Sequence, residues 1–366
     1  MLRACLPGLV LAALMPACLA FAPSTPVSLR LRPSAISATP SAISRSVIAA
    51  PRVRAPLSIA TGLRMQEAGA AARGVQRKMA AGHKVTYDFI PGQNPTVIYL
   101  PGLQMTRQGT KAFALQTWAK RNNQGFFTAD YFGCGKSEGD YAEATISMWV
   151  EDTVELIKEG PVVLCGSGVG GWVAMHVAQR CSEVKGLVGV AADPDFTTDV
   201  VLPKLDDATK AKIANDGKAT ITWGENEYIL SAKLIEDSKK MLVLTGGPGS
   251  LKITCPVRLV QGLGDEEIPP DRALKICEVL QSKDVVITYA KSAKHALDDD
   301  SDMRVILESV DEVRTPTPYT LHPTPYALRP TPYTLHPTPY ALYPTPYTLH
   351  PLSLSVCEVR EARAGR

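Results

Sequence analysis

A glycine-rich segment near the middle of the chain has the residue pattern of a turn that carries a catalytic nucleophile. An apolar run at residues 162–165 leads into the five-residue sequence GSGVG, and a helix-compatible sequence follows. A nucleophile elbow reads Gly-x-Ser-x-Gly, with the serine on a sharp turn between a strand and a helix. With Gly166 and Gly170 as the outer glycines, the central position is Gly168. The sequence therefore has a glycine where the attacking serine belongs.

Ser167 is the one serine in this segment, and it lies one position too early. A pattern centred on Ser167 would need glycines at the positions of Cys165 and Val169. Because successive side chains of an extended chain point to opposite sides, we expect Ser167 to face away from the site. A glycine at position 168 also relieves the strained, positive-φ backbone that an elbow requires.

An acid and a histidine follow later strands in the chain order that a catalytic triad on such a turn requires. Asp265 comes after the apolar run at residues 257–261, and His295 comes after the run that ends at Tyr289. The order nucleophile, acid, histidine is typical of these sites. We expect Asp265 to orient His295 and His295 to act as general base, with a lone surface histidine as the alternative.

Two backbone N–H groups are the expected donors of an oxyanion hole. Leu103 follows the strand at residues 96–100 in the sequence YLPGLQ, and Val169 begins the helix after the elbow. Backbone donors at these two places stabilise the negative oxygen of a tetrahedral intermediate. The nearby sequence DYFGCGKS at residues 130–137 is interpreted as a structural turn under the elbow.

Strands and helices alternate through residues 79–313, which we take as one domain. This alternation predicts a mostly parallel sheet with helices on both faces, and ligands bind at the carboxyl ends of such strands. Residues 193–250 are mixed and polar, without a clear strand pattern, and are expected to form a small helical cap. Strands are predicted at Lys84–Ile90, 96–100, 126–132, 162–165, 184–191, 257–261 and 285–289, and helices at 113–121, 145–158, 169–179, 272–280 and 302–313.

These motifs together resemble the α/β-hydrolase superfamily, and within it the mitochondrial abhydrolase branch that contains a protein depalmitoylase, also described as an acyl-glucuronide esterase. The resemblance implies an α/β-hydrolase fold and hydrolysis of carboxylic esters or thioesters, bound to a small molecule or to a protein. It assigns the acid to Asp265 and the general base to His295, while the nucleophile falls on Gly168. The matching stretches are 99–111, 130–137, 166–172, 255–269 and 294–295.

Composition excludes several other classes of protein. The formal net charge is +3, and seven arginines of the leader precede the first acidic residue, Glu67. The rest of the chain is therefore mildly acidic, and this charge indicates no nucleic-acid partner. Five of the eight cysteines fall in the domain without a CxxC pair, which favours free thiols over zinc or disulfides. No metal, nucleotide or flavin site is indicated, so no cofactor is expected.

The first 65 residues have the composition of a targeting leader. Residues 1–20 read as a signal peptide, with Arg3, an apolar run too short to span a membrane, and small residues before position 21. Residues 21–65 begin with the sequence FAP and are basic and rich in serine and alanine, like a transit peptide. The leader resembles those of algae with secondary plastids, so we expect a plastid location, with secretion or mitochondrial import as alternatives. No integral membrane segment is expected.

The C-terminal end contains an internal repeat followed by a tail at residues 352–366. Within residues 315–351, a proline- and tyrosine-rich heptapeptide recurs five times, beginning at Thr317. Two prolines in every seven residues forbid a helix and favour disorder or polyproline II. The repeat is interpreted as an expanded minisatellite, with a ligand for an aromatic groove as the alternative.

Three functions are compatible with these features. The first is a working esterase or thioesterase, which requires serine rather than glycine at position 168 in the native protein. The second is a hydrolase scaffold that binds an acyl ester or thioester but lacks the nucleophile, so that turnover is at most residual. Loss of the nucleophile from a serine hydrolase lowers turnover on the order of 10⁶-fold. The third is an interaction protein whose repeat is the functional part.

Overall fold

The computed structural model describes residues 71–157, 160–224 and 226–315, together with the backbone of residues 357–361. The predicted signal peptide, the transit-like leader and the repeat lie outside the described residues. The strands are β1 (Ala72–Lys78), β2 (Lys84–Ile90), β3 (Gln93–Leu100), β4 (Gln124–Ala129), β5 (Val162–Ser167), β6 (Val184–Val190), β7 (Lys218–Trp223), β8 (Asn226–Ser231), β9 (Val257–Gly262), β10 (Val285–Ala290) and β11 (Cys357–Glu361). The helices are α1 (Thr110–Arg121), α2 (Ile146–Leu156), α3 (Val169–Arg180), α4 (Asp207–Asp216), α5 (Ala232–Ser238), α6 (Arg272–Val279) and α7 (Asp300–Arg314).

One large sheet organises the domain. Its strand order is β1-β2-β4-β3-β5-β6-β9-β10-β11. Strand β2 is antiparallel to both β1 and β4, and every later neighbour in the sheet is parallel. The register pairs Leu100 with Gly166 and Ser167 with Val190, so the carboxyl ends of the central strands lie at one edge. This confirms the predicted mostly parallel sheet.

Helices cover both faces of the sheet because its central strands are apolar on both sides. In β5, Leu164 belongs to the core that includes buried residues of α2, α3 and α6, while Cys165 belongs to the core under α1 and α7. Successive side chains of a strand point to opposite faces, so a strand buried on both faces must be continuously apolar. The uninterrupted apolar run at the start of β5 is the sequence pattern expected of a strand that is buried on both faces.

The described elements differ from the sequence-based predictions mainly at the margins of the domain. Strand β1 lies before the expected start at residue 79 and forms an antiparallel edge beside β2. Strand β11, in the region expected to be a tail, pairs in parallel with β10. The strand predicted at residues 126–132 ends at Ala129, and the following residues form the turn that contains Asp130.

The insertion between β6 and β9 is not composed only of helices and loops. Besides α4 and α5 it contains the antiparallel hairpin of β7 and β8, which forms a separate two-stranded sheet. In β7, buried Ala219 and Ile221 alternate with exposed Lys218 and Thr220, as expected for a half-buried strand. The predicted helical cap therefore also contains a hairpin that its sequence pattern did not reveal, and this hairpin forms one wall of the site.

Candidate active site

The strand–turn–helix at the end of β5 is a nucleophile elbow with glycine at its apex. Gly168 has φ 53° and ψ −123°, and α3 begins at the next residue. Its N–H donates to the carbonyl of Val190 at 2.9 Å, and its own carbonyl accepts from the N–H of Gly171 at 2.9 Å. The left-handed φ is the conformation that the sequence pattern predicts for a nucleophile. The elbow geometry is thus present without a side chain at its apex.

The three glycines of the elbow differ in whether packing leaves room for a side chain. A Cβ on Gly166 would lie 2.3 Å from the carbonyl oxygen of Gly170, and one on Gly170 would lie 2.2 Å from that of Leu100. Contacts this short with backbone atoms exclude any side chain. A Cβ on Gly168 would meet nothing closer than 3.8 Å. Packing therefore demands glycine at positions 166 and 170, whereas at 168 there is room for a side chain.

Asp265 and His295 are hydrogen-bonded to each other, as the predicted acid–base pair requires. Oδ2 of Asp265 lies 2.9 Å from Nδ1 of His295 and also accepts a hydrogen bond from Nε2 of Gln261 at 2.9 Å. Oδ1 accepts from the N–H groups of Glu267 at 3.0 Å and Ile268 at 2.9 Å. The carboxylate is therefore saturated and fixed in place. With the imidazole Nδ1–H donated to Asp265, Nε2 is left for the reacting groups.

The surroundings of His295 favour its charged form. Burial lowers the pKa of the imidazole, but the hydrogen bond from His295 to Asp265 and the negative charges of Asp265, Asp193 and Glu267 outweigh burial and raise the pKa above its usual value of 6.5. The loop that carries His295 is also tied to α1, because Nζ of Lys111 donates to the carbonyl of Ala296. His295 is thus held at the cavity rather than free on the surface.

The two expected oxyanion donors lie on the same cavity as Gly168 and His295. Leu103 and Val169 both line it, together with Gly102 and the elbow. Val169 is the first residue of α3, and the first N–H groups of a helix have no intrahelical acceptor. Their common location is what an oxyanion hole beside the elbow requires.

Ser167 lies one position before the apex of the elbow. It borders the cavity, and its hydroxyl forms a hydrogen bond with the phenol of Tyr99, a side chain buried under α1 and α7. The alternation of β5 explains this, since Ser167 shares the face of Cys165, opposite to Gly168 across the strand. Ser167 lies near the cavity without occupying the apex of the elbow.

Asp193 is a site residue that sequence reasoning missed. It follows β6, is 6% exposed, and its Oδ1 is buried without a hydrogen-bond partner. Its Oδ2 and Oδ1 lie 3.8 and 3.9 Å from the position that a Cβ on Gly168 would take. Burial raises the pKa of this carboxyl to about 7, and the charges of Asp265 and Glu267 add to the rise, while His295 and Arg272 oppose it. The signal in the sequence was an acid placed directly after a strand at the site edge.

The segment after Asp193 is anchored on both sides. Nη1 of Arg272, which is 2% exposed, donates to the carbonyl of Pro194 at 3.0 Å and to Asp199 at 2.7 Å. The carboxylate of Asp195 accepts the N–H groups of Val243 and Leu244, at 2.9 and 2.8 Å for its nearer contacts. These bonds hold the backbone around Asp193, so its carboxylate is directed at the elbow by the fold.

The cavity has a volume of about 240 Å³ and a largely apolar wall. The hairpin of β7 and β8 covers it and is docked on Glu267. Hydrogen bonds of 3.4 Å join the Glu267 carboxylate to Asn226 and Tyr228, and the indole N–H of Trp223 donates to the Glu267 carbonyl at 3.2 Å. Apolar lining comes from Leu103, Met105, Phe196, Val201, Ile221 and Leu230. Such a wall suits an acyl chain bound beside a few polar groups.

The turn at residues 130–137 has the structural role that the sequence predicts. Asp130 is completely buried, and its carboxylate accepts hydrogen bonds from the backbone of Arg107 and Lys136 and from the Arg107 guanidinium. A Cβ on Gly135 would lie 2.4 Å from this carboxylate, so glycine is required there. Arg107 also binds Asp88 at 3.1 Å, which ties the loop before α1 to β2.

The described residues contain neither a disulfide nor a cluster of metal-ligating side chains. None of the five cysteines in the described part of the domain forms a disulfide, and burial raises the pKa of Cys134 and of Cys165 to about 12. In the described ranges, no group of three His, Cys, Asp or Glu side chains is arranged to hold a metal ion. None of the helices described has the length and apolar character needed to cross a bilayer.

Comparison with known proteins identifies relatives of the whole central domain. The mouse mitochondrial palmitoyl-protein thioesterase ABHD10 is 29% identical over 238 residues, which covers 63% of this chain and 78% of the relative. The human protein of the same name is 26% identical over 236 residues, covering 63% and 76%. No family model matches the sequence.

Comparison with solved structures also identifies proteins that are similar to the central domain. A protein from Agrobacterium vitis S4 assigned to the hydrolases superposes with a TM-score of 0.61 at 28% identity, covering 67% of this chain and 99% of that one. The mouse α/β-hydrolase domain-containing protein 10 superposes with a TM-score of 0.60 at 28% identity, covering 66% and 98%. Both matches extend over nearly the full length of the solved proteins.

The sheet topology and the elbow give this chain the α/β-hydrolase fold, and the chain is similar to known members of the α/β-hydrolase superfamily. Within the superfamily it is similar to the branch that contains mitochondrial ABHD10. This confirms the resemblance inferred from the motifs.

Proposed function

We propose that this protein binds an acyl ester or thioester in the cavity at the strand ends and transfers the acyl group to water slowly, without a covalent serine intermediate. The observation that carries the proposal is the intact His295–Asp265 pair beside an elbow whose apex, Gly168, has no hydroxyl. The ester or thioester chemistry is supported by the name of the similar ABHD10 proteins.

The chemistry follows from what remains of a serine hydrolase site. His295 and the expected oxyanion donors would act on the substrate carbonyl and its leaving group, while water takes the place of the serine oxygen. Serine hydrolases deprived of their triad keep rates of about 10³–10⁴ over water through the oxyanion hole and binding alone. We therefore expect the hydrolysis rate of this protein to lie near that residual rate.

A labelling experiment tests the missing nucleophile directly. A fluorophosphonate probe should not label the protein as it stands, and Gly168→Ser should introduce labelling, since a Cβ at position 168 meets nothing within 3.8 Å. Gly168→Ala is the matched control, because it adds the same Cβ without the hydroxyl. Strong labelling of the unsubstituted protein would refute the absence of a serine intermediate.

A silent binding protein is the second candidate function. The observation that favours it is Gly168 itself, because a cavity with an acyl-compatible wall remains after the attacking group is lost. Binding of a hydrolysis-resistant alkyl ketone without any turnover of the matching ester would support this candidate against slow hydrolysis.

For location we retain the plastid proposal, which rests on the leader at residues 1–65. The similar mammalian proteins are named as mitochondrial, which favours the mitochondrial alternative. Fusion of the leader to a fluorescent protein in an alga with complex plastids distinguishes the two, since the signal would coincide either with chlorophyll or with a mitochondrial stain.

A further inference from the structure

The vacant apex of the elbow faces a buried carboxylate that no triad uses. Asp193 reaches the cavity from the strand next to the elbow, since Ser167 of β5 pairs with Val190 of β6. Its N–H also points back at the elbow and donates to the carbonyl of Gly168 at 3.4 Å. The fold therefore brings Gly168 and Asp193 together through one pair of neighbouring strands.

The environment of Asp193 is unusual for a structural acid. A buried carboxylate in a native protein is normally saturated with hydrogen bonds, as Asp265 is. Asp193 is 6% exposed, and yet its Oδ1 has no partner. Burying an acceptor without a hydrogen-bond partner is unfavourable. Such a group is expected to bind something that occupies the cavity.

The space beside Asp193 has the size of the group that is missing. A Cβ at position 168 would lie 3.8 Å from Oδ2 and 3.9 Å from Oδ1. A serine would place its hydroxymethyl group in this volume, and a water molecule placed slightly nearer to Asp193 than the Cβ position would be within hydrogen-bond reach of the carboxylate. The expected oxyanion donors and His295 border the same volume.

We propose that Asp193 is a catalytic residue that acts as general base, accepting a proton from the water that attacks the acyl carbon in place of a serine. This inference rests on the proposed function. Asp193 and His295 then divide the work that one histidine does in a serine hydrolase, with the carboxylate as base and the imidazolium as acid.

The reaction balances without any additional reactant. The water oxygen forms a bond to the acyl carbon while one water proton passes to the Asp193 carboxylate, and the carbonyl π electrons move onto the oxygen in the oxyanion hole. The intermediate then collapses, and the bond to the leaving oxygen or sulfur breaks. The leaving group takes the Nε2 proton of His295, which gives a carboxylic acid and an alcohol or thiol. Proton transfer from Asp193 through solvent to His295 restores both groups.

The charges around Asp193 set the pH range in which it can act. His295 and Arg272 favour its ionised form, and Asp265 and Glu267 oppose it, while burial is the largest influence. The pKa of about 7 is close to the value at which a general base works best near neutral pH. The rate should therefore rise with pH as Asp193 ionises and fall again as His295 loses its proton.

The first test is Asp193→Asn, which keeps the shape of the side chain and removes the base. With p-nitrophenyl octanoate and an octanoyl thioester as substrates, kcat/KM should fall by about 10²-fold or more and the acidic limb of the pH profile should disappear. Asp199→Asn is the matched control, because Asp199 holds the same anchored segment through Arg272 and does not line the cavity. An equal loss in the two variants would overturn the proposal.

Two further arms separate a base from a structural residue. Formate added to Asp193→Ala should restore part of the rate, as expected when a small carboxylate enters the vacated site. In a Gly168→Ser background, Asp193→Asn should cause a smaller loss of rate than in the unsubstituted protein, because the serine then attacks and His295 is its base. Failure of formate to restore the rate, or an equal loss in both backgrounds, would overturn the proposal.

The outcomes also separate this inference from the proposed function. Hydrolysis that survives Asp193→Asn at the full rate would overturn the role of Asp193 and leave slow hydrolysis standing. No hydrolysis by the unsubstituted protein, with an alkyl ketone still bound, would overturn both. An acyl adduct on Asp193 in intact-mass measurements would replace the base with a nucleophile and so contradict the proposal.

Discussion

The candidate active site has two halves that differ in how completely their polar groups are paired. On the side of β9 and β10, Asp265 accepts four hydrogen bonds and holds His295. On the side of β5 and β6, Gly168 has no side chain, and Oδ1 of Asp193 has no partner. One half is complete as it stands, whereas the other has an unmet acceptor beside an empty volume.

This difference shows which parts of a hydrolase site depend on each other. The acid–histidine pair is held by hydrogen bonds from its own loops and does not need a serine to stay in place. The elbow keeps its left-handed backbone at Gly168 because the outer glycines and the bonds to Val190 and Gly171 fix the turn. Each half therefore retains its geometry independently, and only chemistry requires them to be complementary.

The largest loss of activity should come from a substitution in the half of the site that contains Asp265 and His295. His295→Ala removes the proton donor to the leaving group, so kcat/KM for a thioester should fall by about 10²–10⁴-fold. His83→Gln is the control, since His83 also binds an aspartate, Asp152, at 2.8 Å, but outside the cavity. Unchanged thermal unfolding would assign the loss to chemistry, and full activity in His295→Ala would refute the role of the pair.

The next effect is a loss of stability caused by substitution of the glycines in the half of the site that contains Gly168 and Asp193. Gly170→Ala should lower the free energy of unfolding by about 3 kcal/mol or more, because its Cβ would lie 2.2 Å from a backbone oxygen that cannot move away easily. Gly168→Ala should cost only about 1 kcal/mol, from the positive φ alone. Urea unfolding of both variants measures the difference, and equal losses would contradict the contrast drawn between the two positions.

A third effect is a pH dependence of stability caused by Asp193. Its pKa of about 7 lies above the value near 3.9 of an unfolded aspartate, so the folded protein binds more protons between these values and loses stability as pH rises through them. Asp193→Asn removes this penalty. Its melting temperature relative to the unsubstituted protein should therefore rise between about pH 4 and pH 7 and stay constant above that range, by roughly 2–4 °C for each kcal/mol. A constant difference in calorimetry would show that Asp193 does not titrate in this range.

Most of the central fold could be predicted from the sequence, because its strands are apolar runs bounded by glycine and proline. The exceptions have weaker patterns. Strand β1 is largely exposed and pairs only at its antiparallel edge, so it carries no apolar alternation that could reveal it. In β7, threonines alternate with Ala219 and Ile221, a short strand pattern that was obscured by the polar helices around it.

The parts of the candidate site that could be predicted are those in which a given residue type follows a strand at a fixed point of the chain order. Gly168, Asp265 and His295 follow three strands in a fixed order, and the structure brings all three to one edge. Asp193 could not be recognised, since aspartate next to proline is also common in turns. Its role depends on being buried beside Gly168, which follows from the pairing of β5 with β6 rather than from any local pattern.

The left-handed backbone at position 168 has an evolutionary consequence. In a relative with serine there, the apex residue is selected for turnover against its own conformational strain, and glycine removes that strain. Once selection on turnover weakens, drift to glycine carries no folding penalty, whereas drift at Gly166 or Gly170 is purged by the loss of the fold. Because codons for serine and glycine can differ by one base, the same step can be reversed. A single substitution at position 168 would therefore add or remove the attacking hydroxyl while the scaffold persists.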